Sequence, residues 1–234
     1  MKYAILAAGE GSRLAGEGIN IPKPLVEICG ERMIDRLIRI FLNVGAEEVI
    51  VITNDLAPQT QTHIRELQLS IPQLRLVVKT TPSSMHSFYE LAPLLGVGRF
   101  CLTTVDTIFR EQEFRDFIEA FSSAPADIDG MMAVTDFVDD EKPLWIATDV
   151  SLRITGFYDT REHCRYISGG IYALSDKSFV TLNRCIASGQ SRLRNFQRAL
   201  VADGMNLRAW PFTKILDVDH ADDIIKAEEF ISKD

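Results

Sequence analysis

A glycine-rich turn follows the first apolar run of the chain and could bring backbone amides close to a phosphate. The stretch LAAGEGSRL covers residues 6–14, and its Gly9 and Gly11 come shortly after the apolar residues 3–6. Glycine permits positive φ and a close approach of the backbone to a ligand. The stretch is not a Walker A loop, because no Gly-Lys-Ser/Thr follows, and Leu14 stands where a dinucleotide fingerprint needs glycine. Taken alone, it fits a tight strand-to-helix connection equally well.

Two cations on the same segment favour phosphate binding. Arg13 lies in the turn, and Lys23 comes ten residues later between Pro22 and Pro24. Each proline fixes its own φ and biases the preceding residue toward extended backbone, so the pattern predicts a stiff, extended segment around Lys23. Arginine offers a planar fork for phosphate oxygens, and lysine offers a compact point charge. Together they could neutralise a triphosphate.

Carboxylates recur at two places that a sheet could bring together. Asp106 ends the apolar stretch FCLTTVD, which predicts a strand, and the later segment LDVDHADD carries four aspartates. Asp222 and Asp223 are expected to begin a final helix, where negative charge complements the helix dipole. Asp217 follows the apolar pair 215–216 and should emerge from a buried segment. Asp106 could also be a turn residue or the cap of the next helix.

The periodicity of the apolar residues predicts the elements that must position these side chains. In the first half, buried strands alternate with amphipathic helices, the pattern of a mostly parallel sheet covered on both faces. Ligands bind such sheets outside the carboxyl ends of the strands. The second half begins with four successive strands, which predict an antiparallel extension of the sheet. The predicted strands span residues 3–6, 47–53, 74–80, 99–106, 129–137, 143–150, 152–159, 166–174 and 206–212, and the predicted helices span residues 32–44, 59–68, 84–93, 111–121, 176–187, 192–202 and 221–231.

Composition excludes several classes of protein. The chain has 234 residues, is 46% hydrophobic and carries a formal net charge of −8, so a single domain over residues 1–234 is expected. The lack of a Lys/Arg cluster argues against nucleic-acid binding but not against a small anionic substrate. No apolar run suits a signal peptide or a membrane helix, which predicts a cytoplasmic protein without a membrane partner. The four cysteines lack a zinc-like spacing and are expected to be reduced and packed in the core. A small homo-oligomer is compatible with the sequence.

The stretches LAAGEGSRL and IPKPLVEICGERMIDRLI together resemble the signature of the sugar-phosphate nucleotidyltransferases. Enzymes of that family join a nucleoside triphosphate to a phosphorylated sugar or alcohol and release pyrophosphate. The resemblance implies a Rossmann-like, three-layer α/β/α nucleotide-diphospho-sugar transferase fold, with a mixed, mostly parallel sheet, over nearly the whole chain. The base would meet the segment KTTPSSMHSF, whose Ser83 and Ser84 could equally serve as helix N-caps. The choice among uracil, cytosine, thymine and guanine stays open.

The resemblance also assigns roles to residues at the matching positions. As the catalytic pair, Arg13 would hold the outgoing pyrophosphate and Lys23 would stabilise charge at the α-phosphate. Asp106 and Asp217 would share one Mg²⁺, which prefers oxygen ligands, with Asp219 as the second choice in place of Asp217. Catalysis would be positioning and charge stabilisation around an in-line displacement at the α-phosphorus. The nucleotide-binding residues implied are Leu6, Ala7, Ala8, Gly9, Glu10, Gly11, Ser12, Thr80 and Ser84.

The chain departs from the family where a phosphorylated acceptor would bind. Many members carry a Glu-Lys pair shortly before a strand that resembles GGIYAL, and its lysine contacts the sugar phosphate. Here the corresponding region has no lysine, and its cations are Arg161, His163 and Arg165. Arg161 or Arg165 could hold the acceptor phosphate. Gly169 and Gly170 could admit the acceptor close to the backbone or could mark a bulge.

Three functions follow from these residues. The leading hypothesis is an Mg²⁺-dependent enzyme that transfers a nucleoside monophosphate to a sugar 1-phosphate. A second keeps the chemistry but uses an alcohol phosphate such as phosphocholine as the acceptor of a cytidylyl group. A third is a catalytically silent, nucleotide-binding regulatory protein on the same fold. Arg13, Lys23, Asp106 and Asp217 argue against the third function, and the missing acceptor lysine keeps it open.

Overall fold

The computed structural model describes residues 1–232, in which strands and helices alternate around a large sheet. The strands are β1 (Lys2–Ala7), β2 (Glu27–Ile28), β3 (Glu31–Arg32), β4 (Glu48–Thr53), β5 (Leu74–Val78), β6 (Arg99–Thr104), β7 (Thr107–Ile108), β8 (Gly130–Thr135), β9 (Trp145–Thr148), β10 (Ile154–Tyr158), β11 (Tyr166–Ser175), β12 (Leu207–Phe212) and β13 (Leu216–Asp217). The helices are α1 (Ser12–Gly16), α2 (Met33–Asn43), α3 (Pro58–Gln68), α4 (Ser84–Leu95), α5 (Glu111–Ser123), α6 (Ser178–Ala187), α7 (Leu193–Ala202) and α8 (Ala221–Ile231).

The strands β5, β4, β1 and β6 run parallel in that order and form the part of the sheet that carries the site. In the middle, Tyr3 of β1 is aligned with Val49 of β4 and with Cys101 of β6. Beyond their first residues, β1, β4 and β6 are almost entirely buried on both faces, which fits their predominantly apolar sequences. Their carboxyl ends lie along one edge, so the residues that follow β1, β4 and β6 come together there.

Helices cover both faces of the sheet and produce three layers. Ala4 and Leu6 of β1 pack in a buried cluster with α4, α6 and α7. Tyr3, Ile5 and Ala7 pack in a second cluster with α2, α3 and α5, as the period-two geometry of a strand requires. The prediction of a three-layer α/β fold is therefore confirmed. None of the helices described here combines the length and the apolarity that crossing a bilayer requires.

The second half of the chain extends the sheet with antiparallel strands, as predicted. The long strand β11 pairs with β6, β8 and β9, and β9 pairs with β10. The last strand of the sheet, β12, adds to β8 in parallel. The register between β11 and β8 shifts between Ser168 and Tyr172, where Gly170 has a φ of +71°. Gly169 and Gly170 therefore lie at an irregularity of the bulge type, which favours that interpretation of the pair.

The backbone around Lys23 differs from the predicted extended segment. Residues Lys23–Leu25 form a 3₁₀ turn, closed by a hydrogen bond from the Leu25 N–H to the Pro22 carbonyl at 2.8 Å. Pro22 is extended, but Pro24 fits inside the turn because proline is tolerated in the first turn of a helix. The sequence predicts a strand that ends at Asp106, but β6 ends at Thr104, and Asp106 lies in the turn between β6 and β7.

Two further expectations were wrong in detail. Cys29 is exposed, although the other cysteines are buried, because it forms with Gly30 the turn of the β2–β3 hairpin. Both residues have positive φ, as such two-residue turns require. Helix α4 runs two residues past Pro93, which lies in its last turn. The remaining helix boundaries agree with the predicted ones to within two residues.

Candidate functional site

A cavity of about 580 Å³ opens where β1, β4 and β6 end. The glycine-rich turn forms one wall, and the segment between β5 and α4 forms another. The volume is in the range that small-molecule sites occupy. This first cavity is lined by Leu6, Ala8, Gly9, Glu10, Gly11, Ser12, Arg13, Lys23, Pro24, Asn54, Leu56, Thr80, Thr81, Pro82, Ser83, Ser84, Ser87, Thr104, Val105, Asp106 and Asp219.

Gly11 fixes the relation between the glycine-rich turn and Lys23. It occupies the N-cap position of α1 with φ +62°, a conformation that glycine adopts without steric cost. A Cβ added there would lie 3.0 Å from the Cβ of Lys23 and 3.7 Å from its backbone nitrogen. The close packing of the two segments therefore depends on the missing side chain.

Gly11→Ala is expected to destabilise the protein by about 1–2 kcal/mol, because alanine is strained at positive φ and its methyl group presses on Lys23. Urea unfolding measures the stability, and binding of inorganic pyrophosphate reports whether Lys23 has moved. Gly9→Ala is the matched control, since a Cβ there meets no atom within 4 Å. Equal losses of stability in the two variants would contradict the role of Gly11.

Lys23 is held as a fixed cation in the wall of the cavity. Its Nζ donates to Asp106 Oδ2 at 2.5 Å and to Asp219 Oδ1 at 2.6 Å, and its side chain is only 10% exposed. Burial alone would lower the pKa of Lys23, but the two carboxylates, Asp106 first, outweigh it and raise that pKa above its usual value. Lys23 is therefore charged throughout the physiological pH range.

The short strands β7 and β13 join the two acidic segments that lie far apart in the sequence. Asp217 pairs with Thr107, and the Val218 N–H donates to the carbonyl oxygen of Asp106 at 3.1 Å. Burial would raise the pKa of Asp106, but the charge and the hydrogen bond of Lys23 lower it below its usual value, helped by a hydrogen bond from Thr104. Asp106 is therefore a carboxylate at the edge of the cavity.

Asp217 lies beside Asp106 without a cation of its own. Its carboxylate forms no ion pair with the residues described here, and Asp217 lines two smaller cavities beside the first, of about 270 Å³ and about 220 Å³. Desolvation by the surrounding protein raises the pKa of Asp217, and the nearby negative charge of Asp106 raises it further. Asp106 and Asp217 together therefore form a position that attracts a cation.

Asp219 differs from Asp217 because both of its carboxylate oxygens are already occupied. Arg13 Nη1 donates to Asp219 Oδ2 at 2.6 Å, while Lys23 binds Oδ1 at the same distance. Asp219 thus bridges the two cations on which the phosphate-binding hypothesis depends. Of the two carboxylates proposed as alternatives for a metal, Asp217 is the one with open oxygens.

A second cavity, of about 220 Å³, adjoins the first. Thr104 lines both cavities, and Arg192 and Arg194 lie on the wall of the second. Arg192 precedes α7 with φ +71° and ψ +137°, a strained conformation for a residue with a side chain, and its N–H donates to Ser83 Oγ at 3.3 Å. The second cavity is lined by Ser84, Thr104, Asp140, Leu144, Ser168, Gly170, Tyr172, Arg192, Leu193, Arg194, Gln197 and Asp217.

Comparison with known proteins identifies the family of this chain. The model of the nucleotidyl transferase family matches residues 2–234. The chain belongs to this family. It is therefore an enzyme, a nucleotidyltransferase, and the family resemblance inferred from the glycine-rich turn and the PKPL segment is confirmed.

The proteins to which this nucleotidyltransferase is similar have different substrates in their names. A bifunctional IPC transferase and DIPP synthase of Thermococcus kodakarensis is 28% identical over 188 residues, which are 76% of this chain and 38% of that protein. The inositol-1-phosphate CTP transferase from T. maritima has a TM-score of 0.83 at 17% identity, with 99% of this chain and 95% of that chain covered. A putative glucose-1-phosphate thymidylyltransferase from Bacillus anthracis has a TM-score of 0.85 at 17% identity, with 98% and 94% covered. These two structures show that the fold is shared.

Most residues that the sequence suggested for nucleotide binding line the first cavity of the nucleotidyltransferase, and Ala7 does not. Ala7 packs in the core because strand alternation turns it to the opposite face from Leu6. Ser83 occupies the N-cap position of α4, but its hydroxyl contacts His86 Nδ1 instead of capping the helix. Asn54 was not singled out from the sequence, although a polar residue directly after the buried strand β4 was an available signal; its Nδ2 donates to the Ala8 carbonyl at 3.0 Å.

The cations suggested for the acceptor lie away from both cavities. Arg161 stacks over the ring of Trp145 at 5.5 Å, and Arg165 pairs with Asp136 at 3.1 Å. Neither residue lines the two cavities described above. Gly170 lines the second cavity, and Gly169 lines an adjacent one that also contains Asp217.

Arg192 and Arg194 are the cations that the structure brings to the second cavity of the nucleotidyltransferase. The signal in the sequence was the pair of arginines in SRLR, at residues 191–194, which also fits the solvated start of a helix. Arg194 pairs with Asp159 at 2.9 Å, whereas the exposed side chain of Arg192 forms no ion pair with the described residues. Arg192 is therefore the more available of the two for an anionic ligand.

Proposed function

We propose that this nucleotidyltransferase transfers a nucleoside monophosphate from a nucleoside triphosphate to a sugar 1-phosphate, forming a nucleotide sugar and releasing pyrophosphate. The observation that carries the proposal is the shared wall at Thr104, with Asp106 on the first cavity and Asp217 on the second. A triphosphate bound by Arg13 and Lys23 would meet, at that wall, a phosphate monoester bound in the second cavity. Donor and acceptor would thus be placed side by side.

In the proposed reaction, an oxygen of the acceptor phosphate attacks the α-phosphorus of the nucleotide. The new P–O bond forms as the bond to pyrophosphate breaks. A phosphate monoester is already ionised near neutral pH, so the attack requires no strong general base. Lys23 stabilises charge at the α-phosphate, Arg13 holds the leaving pyrophosphate, and the amides of residues 9–11 hold the phosphate chain. The protein thus contributes by placing the two substrates and by stabilising the negative charge of the transition state.

Asp106 and Asp217 suit Mg²⁺. Both offer hard carboxylate oxygens. A divalent cation would offset the desolvation and the repulsion from Asp106 that raise the pKa of Asp217. Within residues 1–232, no group of three or more His, Cys, Asp or Glu side chains could hold a metal ion by itself. Phosphate oxygens of the substrates would therefore complete the ligand set. When bound there, Mg²⁺ would supply a Lewis acid and a template for the phosphates.

A pyrophosphate-release assay tests this function. Each of UTP, CTP, dTTP and GTP is combined with a panel of sugar 1-phosphates, an inositol phosphate and phosphocholine in the presence of Mg²⁺. We expect release with at least one sugar 1-phosphate, and only when both substrates are present. Release with phosphocholine as the only active acceptor of the panel would favour an alcohol phosphate as the acceptor. Silence across the panel, with nucleotide still bound, would favour a regulatory protein.

Arg192→Ala is expected to raise the KM for the acceptor by about 10- to 100-fold, as for the loss of a hydrogen bond to a charged group, and to leave the KM for the nucleotide unchanged. Steady-state kinetics with each substrate varied in turn measure both constants. Arg165→Ala removes the same charge from a position outside the cavity and is the matched control. A large effect in the control and none in Arg192→Ala would show that Arg165, and not Arg192, binds the acceptor.

We also propose that residues 1–234 form one nucleotidyltransferase domain. The family match over residues 2–234 supports it, as does the continuous sheet that carries both cavities. The aligned region is 38% of the length of the Thermococcus kodakarensis relative, so the second activity in that protein's name is not carried over.

A further inference from the structure

Asp219 presents to Arg13 and Lys23 what a phosphate would present. Its two oxygens each accept one short hydrogen bond, at 2.6 Å, from one of the two cations. Arginine and lysine donate the same kind of charge-assisted hydrogen bond to the oxygens of a phosphate as to those of a carboxylate. A triphosphate that binds both cations would therefore compete with the Asp219 carboxylate for their charge and their donors.

The ion pair between Asp219 and Arg13 is open to solvent. The Asp219 side chain is 39% exposed and that of Arg13 is 56% exposed, and ion pairs at such exposed positions stabilise a protein only weakly. The backbone N–H of Asp219 is held by the Asp223 carboxylate at 3.1 Å, so a rotation of the side chain leaves the backbone in place. Lys23 keeps its second partner, Asp106, when Asp219 moves away.

We propose that Asp219 is a positioning residue that competes with phosphate for Arg13 and Lys23. It orients both cations before the triphosphate arrives, is displaced on binding, and returns to speed the release of pyrophosphate. The inference rests on the proposed function, since it takes Arg13 and Lys23 as the phosphate ligands. It gives Asp219 a role distinct from that of Asp217.

Binding of inorganic pyrophosphate in EDTA, measured by isothermal titration calorimetry, tests the competition. Asp219→Asn is expected to lower the Kd by about three- to tenfold, because the competing charge is gone while both cations remain. The inhibition constant of pyrophosphate in turnover should fall by a similar factor. An unchanged or higher Kd would overturn the proposal, and an unchanged Kd is what a metal ligand would show without metal. Circular dichroism verifies that the variant is folded.

Two further variants sharpen the test. Asp222→Asn makes the same change of net charge three residues away, on an exposed carboxylate in the first turn of α8, and should leave the Kd unchanged. In an Arg13→Gln background, the gain from Asp219→Asn should shrink, because one of the two competing contacts is already lost. An equal gain in Asp222→Asn, or an undiminished gain beside Arg13→Gln, would overturn the proposal. The titration needs neither nucleotide nor turnover, so its outcome is distinguishable from failure of the transferase assay.

Discussion

Lys23→Met is expected to lower kcat by about 10²- to 10³-fold, the range measured when a preorganised donor to a developing negative charge is removed. Methionine keeps the apolar stem but removes the ammonium group that the turn at Lys23–Leu25 fixes between two carboxylates. The loss also leaves Asp106 and Asp219 without their shared cation, so their charge repels the triphosphate and the KM for the nucleotide should rise. Steady-state kinetics with varied nucleotide measure both effects.

Lys177→Met serves as the control for Lys23→Met, since Lys177 is 63% exposed and pairs with Asp129. Lys23→Arg adds a second comparison, because it keeps the charge but replaces the point-like ammonium with a wider planar group. Partial recovery in Lys23→Arg would assign the loss to charge at this position. If Lys23→Met kept most of the parental kcat at saturating nucleotide, the ammonium group would have no part in stabilising the transition state.

The residues of the first cavity could be predicted because they follow buried strands. Glycines after β1, a lysine between prolines and an aspartate just beyond β6 mark the carboxyl edge of a parallel sheet, and a parallel sheet gathers such residues at one edge. The pattern does not specify side-chain geometry. Lys23 lies in a 3₁₀ turn rather than in extended backbone, because local proline preferences are weaker than the tertiary contacts that Lys23 makes.

The cations of the second cavity could not be found in this way. Arg192 reaches the second cavity because its backbone has a positive φ at the start of α7. Such a conformation is uncommon for a residue other than glycine, and an arginine in the sequence does not indicate it. Asp217 and Asp219 lie two residues apart, and only the pairing of β13 with β7 and the contacts of Arg13 separate their roles. Where several polar residues are close together in the sequence, their partners in the fold determine which of them is available to bind a ligand.

Asp217→Asn is expected to lower kcat by at least about 100-fold, in line with the loss of a group that orients a metal-assisted reaction. The change is nearly isosteric, and it removes a carboxylate that forms no ion pair with the described residues, so folding should be preserved. Nucleotide affinity should change little, because Arg13, Lys23 and the glycine-rich turn remain. The concentration of Mg²⁺ that gives half-maximal activity should rise. Kinetics over a Mg²⁺ titration, with nucleotide binding by calorimetry, measure these quantities.

The comparison among neighbouring carboxylates decides the assignment of the metal ligand. Asp219→Asn should keep the Mg²⁺ requirement while it tightens pyrophosphate binding, and Asp222→Asn should change neither. Asp217→Asn alone should combine a large loss of kcat with an altered Mg²⁺ dependence. If Asp217→Asn turned over like the parent while Asp219→Asn lost its response to Mg²⁺, the metal would belong to Asp106 and Asp219. The hydrogen bonds from Arg13 and Lys23 to Asp219 would then have to open for the metal as well as for the nucleotide.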